Sequence, residues 1–298
     1  MRIATNTISG SALNQIMDLT NSLSTLQNQV STGQRVSQPS DNPAAVGQLI
    51  NLQAEQQRLA QYEQNASTAL NLSQASTSAL TNLKSISDNA SEIATTGSST
   101  ENATEATAYA TQVNQLLEQA VQSANSTLNG TYLFNGTSSP TAPFQVTRDA
   151  NGNITQIAPL SSGNAPAPIQ LSDAASVSPY TSAATNQGLA DFLKNLVSLR
   201  DALTANDSSA VATVSSSLQT TESTLIDSIS QQGAVQSGIQ IIQSQQQTSA
   251  TNLDSLVSKN RDADMAQAMT QLSQAQVAYQ AALQSTALIM SKSLIDYL

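Results

Sequence analysis

Residues 262–298 read DADMAQAMTQLSQAQVAYQAALQSTALIMSKSLIDYL, and their composition predicts a long helix at this end of the chain. It contains no proline and no glycine, and Ala, Gln, Leu and Met residues, which favour helices, dominate it. Large apolar residues recur along it at spacings that keep them on one helical face. These residues are Met269, Leu272, Tyr279, Leu283, Met290, Leu294 and Tyr297. A terminal helix with such a stripe needs a packing partner, because its apolar face is stable only when buried.

The other end of the chain offers that partner. Its apolar residues follow one another in steps of three and four, which is the spacing of a heptad seam. They are Ile16, Leu19, Leu23, Leu26 and Val30. The seam spans only a few heptads, so we expect this helix to be marginal until it packs on something. Periodicity alone favours an intramolecular core over packing between subunits, and both interpretations stay open.

The composition favours long solvated helices and argues against several classes of function. Only 10% of the residues are charged and 3% are aromatic, and the chain lacks Trp, His and Cys. A net charge of −10 without a cluster of Lys or Arg argues against nucleic-acid binding and against anionic membranes. No stretch is long and apolar enough for membrane insertion. Without His or Cys the chain lacks the commonest general base and metal ligand, so we predict no enzyme, no cofactor and no metal site.

One pair of acidic residues requires a choice between two interpretations. Asp262 and Asp264 could act together in acid–base chemistry or in metal binding. However, residues two positions apart on a helix do not face each other. Negative charge is favourable at a helix N-terminus, and we therefore favour a helix-start role for both residues.

Glycine, proline and capping residues divide the chain into further helices. The first helix begins near Ser11 and ends at Gly33, before Pro39. Asn42 is a good cap, and Pro43 suits the first position of the next helix, which we expect to continue to about residue 95. Helical periodicity predicts further helices over 104–128, from Leu189 onward, and over 208–258.

The middle of the chain has a different composition. Residues 131–185 are rich in Pro and Gly and contain short apolar/polar alternations. Two of these alternations, over 144–148 and 153–157, flank Asn151-Gly152, which predicts a hairpin with a type I′ turn. We therefore predict a small β-rich insertion between helices.

Together these elements predict a mainly α fold, a long antiparallel helical bundle or coiled coil built from both termini with a small β-rich insertion. The predicted domains are a terminal helical region (1–40 and 262–298), a helical shaft (41–130 and 186–261) and the β-rich insertion (131–185).

Motifs at both ends of the chain resemble those of a known family. Residues 31–36, STGQRV, followed by 39–45, PSDNPAA, resemble the N-terminal motif of bacterial flagellins. Residues 262–266, DADMA, and the ending 293–298, SLIDYL, resemble the C-terminal block of the same family. Because the two blocks occur together at opposite ends, the resemblance is specific.

Two further segments resemble one branch of this family. The opening Met1-Arg2-Ile3 and the segment 130–136, GTYLFNG, are similar to the hook-associated members, which lie at the hook–filament junction. The resemblance covers both ends and the shaft, and it matches the β-rich insertion only where that insertion begins.

The resemblance implies a structural subunit of the bacterial flagellum that joins the hook side to the filament by non-covalent polymerisation through its terminal helices. The implied partners are neighbouring copies of the chain, another hook-associated protein on the hook side, flagellin on the filament side, and an export chaperone at the C-terminal helix. The implied location is extracellular, after type III export without a cleavable signal peptide. The motif residues Gly33, Arg35, Pro39, Ser40, Asp41 and Pro43 are expected to form a structured spoke beside the terminal helices.

Two other functions stay open at this point. The chain could be flagellin itself, the filament subunit. From a different class, a secreted helical adhesin would share the helices rich in Ser and Thr, but it would need a secretion signal or an anchor, which we do not find in the sequence.

Overall fold

The computed structural model describes residues 2–99, 102–134, 141–159 and 167–295, with side chains from residue 10 to residue 288 except residue 159 and the gaps. The described helices are α1 (Arg2–Thr32), α2 (Pro43–Ser98), α3 (Ala103–Ala124), α4 (Ala183–Thr204), α5 (Ser208–Arg261) and α6 (Met265–Ile295). The described strands are β1 (Thr127–Leu128), β2 (Thr131–Tyr132), β3 (Phe144–Arg148), β4 (Ile154–Pro159), β5 (Ile169–Gln170) and β6 (Ser176–Val177). The predicted fold class, a mainly α bundle with a small β-rich region, is confirmed.

The chain packs as two compact units. The first contains residues 1–58 and 248–298, and the second contains residues 59–247. Both boundaries therefore fall inside the long helices α2 and α5, and not at residues 40 and 262 where the sequence changes. The division into terminal region, shaft and insertion stays a prediction.

In the first unit, α1 packs lengthwise along α6. Residues 43–58 of α2 and 248–261 of α5 complete this unit. Gln56 Nε2 donates a hydrogen bond to Asp254 Oδ1 at 2.6 Å between these two segments. The N-terminal helix begins at Arg2, earlier than the predicted start near Ser11, and it continues through Gly10 without a break.

The second unit is held by a continuous apolar core between α2, α3, α4 and α5. Helix α4 lies at its centre, since its apolar face is fully buried. The buried residues of that face include Leu189, Phe192, Leu193, Leu196, Leu199 and Leu203. The helix starts at Ala183, not at Leu189, because the Ser182 side chain accepts a hydrogen bond from the Thr185 N–H and caps it.

Helix α3 ends earlier than its apolar pattern suggests. It stops at Ala124, and the chain then forms a hairpin of β1 and β2, with Thr127 opposite Tyr132. Asn129 (φ 52°) and Gly130 (φ 80°) connect the strands in the left-handed region that a type I′ turn requires. The expectation that the helix continues to 128 was wrong, because this turn overrides the helical spacing.

The predicted hairpin at Asn151-Gly152 exists but has a different turn. β3 pairs with β4 from Phe144 opposite Pro159 to Arg148 opposite Ile154, which leaves the five residues 149–153 in the loop. Gly152 alone in this loop has a positive φ, of 87°. The type I′ assignment was wrong, because the Asp149 carboxylate accepts hydrogen bonds from loop N–H groups and stabilises a longer loop.

A third hairpin, β5–β6, packs on the helices within the second unit. The Leu171 side chain is fully buried beside Ala66, Ala69 and Ile239. Gln246 Nε2 donates to the Leu171 carbonyl at 2.7 Å, and this amide is itself buried. Side-chain amides therefore hold the hairpin where few large apolar residues are available.

Candidate functional site

The predicted seam of α1 faces α6. Within the described part of the chain, its five residues are half-buried, whereas the residues between them are largely exposed. They are Ile16, Leu19, Leu23, Leu26 and Val30. Because α1 packs along α6, this burial is intramolecular.

The stripe of α6 divides into two faces. Leu272 and Tyr279 are half-buried and belong to the seam against α1. Met269 and Leu283 are 54% and 43% exposed and lie off that seam. Met290 and Leu294 lie in α6, but their side chains are outside the described residues.

Small residues complete the seam of α6. Ala268 is buried, and Ala275, Ala282 and Thr286 are half-buried. With Leu272 and Tyr279 they follow the alternating four- and three-residue spacing of a heptad. Sequence reasoning that selected large apolar residues missed them. The signal that could have found them is the same spacing carried by alanines, which let two helix backbones approach closely.

Large apolar side chains remain exposed beside this seam. Met269 and Leu283 each follow a seam residue by one position, which turns them about 100° away from it. Met17 follows the seam residue Ile16 in the same way, and Leu13 follows Ala12, which is half-buried one turn before Ile16. Other apolar residues exposed on α6 are Met265, Val277 and Leu288. We call Leu13, Met17, Met265, Met269 and Leu283 the flank. An exposed apolar surface of this kind is typical of an interaction site.

The connection between α1 and α2 pairs with the connection between α5 and α6. Gly33 (φ 70°) ends α1 in the left-handed conformation, and its carbonyl accepts a hydrogen bond from the Ala263 N–H at 2.8 Å. The Arg35 N–H donates to the Arg261 carbonyl at 2.7 Å. Gln34 and Asp262 form an isolated antiparallel β-bridge between these contacts. We call residues 33–42 with 260–264 the joint.

Side chains of the predicted motif stabilise the joint. The Arg35 guanidinium donates from Nη2 to the Asn260 carbonyl at 3.2 Å. Asp41 Oδ2 accepts from the Ser37 N–H at 3.0 Å and the Gln38 N–H at 2.9 Å. These bonds close a turn that begins at Gln38.

Pro39 and Ser40 occupy the centre of that turn and are exposed. Asn42 Oδ1 accepts from the Ala45 N–H at 3.0 Å and caps α2, whose first residue is Pro43, as the capping pattern predicts.

A small apolar cluster lies against the joint. Val36 is buried with Ala45, Leu49 and Val257, which belong to α2 and α5. Val36 sits in the middle of the motif, so its burial attaches the connection to the first unit. The joint is therefore a packed structure and not a free loop.

The two aspartates near α6 have different roles. Asp264 Oδ1 accepts from the N–H groups of Ala266 and Gln267, and thus caps the helix. Asp262 is instead part of the joint, where its carboxylate accepts from Ser258 Oγ at 2.7 Å and Arg261 Nε at 3.0 Å. The helix-start interpretation therefore describes Asp264 but not Asp262.

Hydrogen bonds lower the pKa of two carboxyl groups in the joint. The Gln38 backbone N–H, followed by that of Ser37, lowers the pKa of Asp41. The Ser258 hydroxyl, followed by the Arg261 guanidinium, lowers the pKa of Asp262. Both groups stay ionised near neutral pH, and ionised carboxylates accept these hydrogen bonds most strongly.

No group of three or more Asp, Glu, His or Cys side chains that could hold a metal occurs among the described residues. None of the described helices combines the length and the apolarity needed to cross a membrane.

Comparison with known proteins gives two kinds of match. Residues 3–139 match the family described as the bacterial flagellin N-terminal helical region. No curated protein sequence matches the chain significantly.

Several solved structures share the fold. One is a Vibrio parahaemolyticus protein described as a flagellar hook-associated protein, with a TM-score of 0.65 and 15% identity over 74% of this chain and 100% of that one. A second is FlgL of Bacillus cereus, with a TM-score of 0.59 and 16% identity over 70% of this chain and 99% of that one. A third is FlgL of Xanthomonas campestris, with a TM-score of 0.52 and 15% identity over 67% of this chain and 97% of that one. At this level of identity, the likeness concerns the fold.

Proposed function

We propose that the protein joins the hook side of a flagellum to its filament. The proposal starts from the match of residues 3–139 to the bacterial flagellin N-terminal helical region. The family resemblance predicted from the terminal motifs is confirmed by that match. The role is that of hook-associated protein 3: a non-enzymatic structural subunit that polymerises without covalent bonds. Its partners are neighbouring copies, another hook-associated protein on the hook side and flagellin on the filament side.

The observation that carries this proposal is the apolar flank beside the α1–α6 seam. The seam already has its partner within the chain, so the flank has large side chains available for another molecule. Burying one such side chain fully contributes about 1.5–3 kcal/mol. Several of them together can offset the entropy lost when a subunit joins an assembly.

The flank and the seam have separable roles in the proposal. The seam, with Leu272 and Tyr279, holds α6 on α1. The flank, with Met269 and Leu283, binds neighbouring subunits. The joint fixes where the terminal helices leave α2 and α5, because both connections are hydrogen-bonded to each other.

The proposal is tested in a strain that lacks the encoding gene. Electron microscopy should show hooks without filaments, with flagellin in the medium, and the wild-type gene should restore filaments. Filaments that stay attached in the deletion strain would refute the junction role.

A variant series then tests the flank. Met269→Ser with Leu283→Ser should keep α1 paired with α6 but fail to restore filaments. Gln274→Ser serves as the matched control, because Gln274 is an exposed polar residue on another face of α6. If the flank variant restores filaments as well as the control does, the flank is not the assembly surface.

The match to the flagellin family favours a second candidate, the filament subunit itself. The purified protein distinguishes the two. Long filaments that form from this chain alone support the filament subunit, whereas short or no assemblies without flagellin support the junction subunit.

We also propose export to the cell exterior by the type III route, with a chaperone that binds α6 before export. The flank provides an apolar surface for such a chaperone to cover. Co-purification tests this step. A small cytoplasmic protein should co-purify with the wild-type chain, should be lost when α6 is deleted, and should be kept when residues 141–159 are deleted.

A further inference from the structure

Asn129 and Gly130 form an exposed two-residue turn with little to hold it. Both residues are exposed, and both have positive φ angles. The strands on either side contribute two residue pairs, Thr127 with Tyr132 and Leu128 with Thr131, and the Leu133 N–H donates to the Ser126 carbonyl at 3.1 Å beyond them. Among the described residues, neither the Asn129 side chain nor the Gly130 N–H has a hydrogen-bond partner.

An Asn-Gly sequence of this kind is chemically reactive. The Gly nitrogen can attack Cγ of the preceding Asn, because glycine has no side chain to hinder the approach. A C–N bond forms to give a five-membered succinimide. The side-chain amide nitrogen leaves as ammonia and takes up the proton released by the glycine nitrogen. Water then opens the ring at either carbonyl and leaves aspartate or isoaspartate at that position.

We propose that Asn129 is a site of spontaneous deamidation in the folded protein and that Asn151, in the same kind of sequence, is protected. The inference is independent of the proposed flagellar role. The attack requires the turn to open, because the nitrogen must rotate toward Cγ. The two described Asn-Gly sites therefore differ by what holds each turn closed.

The Asn151 turn is held by a dense set of hydrogen bonds. The attacking group itself is engaged, since the Gly152 N–H donates to the Asp149 carbonyl at 3.0 Å. The Asn151 N–H donates to Asp149 Oδ1 at 2.9 Å. Arg148 Nη1 donates to the Gly152 carbonyl at 2.8 Å, so the glycine is fixed on both sides.

Ionisation of Asp149 adds to this protection. The Asn153 backbone N–H donates to Asp149 Oδ1 at 2.9 Å and lowers the pKa of that carboxyl group, and an ionised carboxylate is a strong acceptor for such hydrogen bonds. Arg148 is in turn anchored by a salt bridge to Glu118. No comparable contacts restrain Asn129 within the described residues.

Deamidation at Asn129 would change the local structure. An isoaspartate inserts one extra atom into the main chain, which a two-residue type I′ turn cannot accommodate without losing its strand pairs. Leu133 and Phe134 follow directly, and both are buried in the core of the second unit. The modification therefore loosens the attachment of this hairpin to the core.

The experiment incubates the full chain at mildly alkaline pH and follows both sites by peptide mapping with mass spectrometry. The same incubation in concentrated urea gives the deamidation rates of both asparagines in the unfolded chain. In the native chain we expect Asn129 to react about tenfold faster than Asn151, which corresponds to about 1.4 kcal/mol in opening free energy. In urea the two rates should converge, because both sites have the same reactive sequence.

One variant tests the contribution of the Asp149 side chain to this protection. Asp149→Ala should raise the native rate at Asn151 and leave the rate at Asn129 unchanged. Equal native rates at the two sites, or a faster rate at Asn151, would overturn the proposal. So would an Asn129 that stays intact in the native chain while it reacts in urea. The Asn135-Gly136 sequence lies outside the described residues and does not enter the comparison.

Discussion

Replacing Gly33 by alanine tests whether the joint depends on one backbone conformation. Gly33 has a φ of 70°, and an added Cβ would meet no atom within 4 Å. Steric clash with the surroundings therefore plays no part. The left-handed conformation costs an L-residue roughly 1–2 kcal/mol, and Gly33→Ala should destabilise the joint by that amount.

Amide hydrogen exchange measures the destabilisation at the joint itself. The amides of Ala263 and Arg35 donate across the joint, to the Gly33 and Arg261 carbonyls. A loss of roughly 1–2 kcal/mol should lower their protection about fivefold to thirtyfold. Amides in the core of the second unit should keep their protection.

Gly47→Ala is the matched control. Gly47 lies inside α2, and a Cβ there would also meet no atom within 4 Å. It has no positive φ, so alanine should stabilise the helix by about 0.8–1.0 kcal/mol. The same substitution should thus have opposite signs at the two glycines. If Gly33→Ala leaves the joint amides unchanged, or stabilises the protein as Gly47→Ala does, the left-handed assignment is wrong.

Three further predictions concern the joint and the core. Because the pKa values of Asp41 and Asp262 are lowered on folding, their contribution is present above the unfolded pKa and is lost as pH falls below about 4. The protection factors of the joint amides, taken against the intrinsic exchange rates at each pH, should therefore fall in acid, and unchanged protection factors would contradict the assignment. Leu196→Ala should cost about 2–5 kcal/mol in urea unfolding, since Leu196 is fully buried, and a smaller loss would contradict its place in the core. Gln232→Ala should cost about 1–3 kcal/mol, because the buried Ser73 hydroxyl loses its acceptor at 2.7 Å, while added Ser73→Ala should recover part of that loss.

The sequence predicted helices well where caps and breakers agree with the apolar pattern. Asn42 and Pro43 place the start of α2 correctly, and Asp207 caps α5 at its observed start by accepting from the Ser209 and Ala210 N–H groups. The end of α3 was misplaced because apolar spacing continues past Ala124, although the Asn129-Gly130 turn requires extended residues on both sides. Local turn chemistry overrides periodicity at such positions.

The joint could not be predicted from either of its halves. Residues 33–42 and residues 260–264 each contain turn-forming residues, but nothing in either segment specifies pairing with the other. The pairing depends on α1 lying along α6, which brings Gln34 opposite Asp262. A contact between residues so distant in sequence follows from tertiary packing, and Asp262 was assigned to a helix start for lack of that information.

The distribution of small and large residues on α6 bears on whether its stripe serves an intramolecular core. A helix that only packed on α1 would be most stable with its largest apolar residues in the seam, since each contributes in proportion to the area it buries. The seam of α6 instead includes Ala268, Ala275 and Ala282, while Met269 and Leu283 remain exposed. This distribution of small and large residues is expected for a helix with two apolar surfaces. The alanines let α6 pack close to α1, and the larger residues remain exposed for contact with another molecule. Periodicity alone could not separate these two surfaces. A seam residue and the flank residue that follows it both fit one wide apolar stripe, and only the position of α1 shows which of them faces the partner helix.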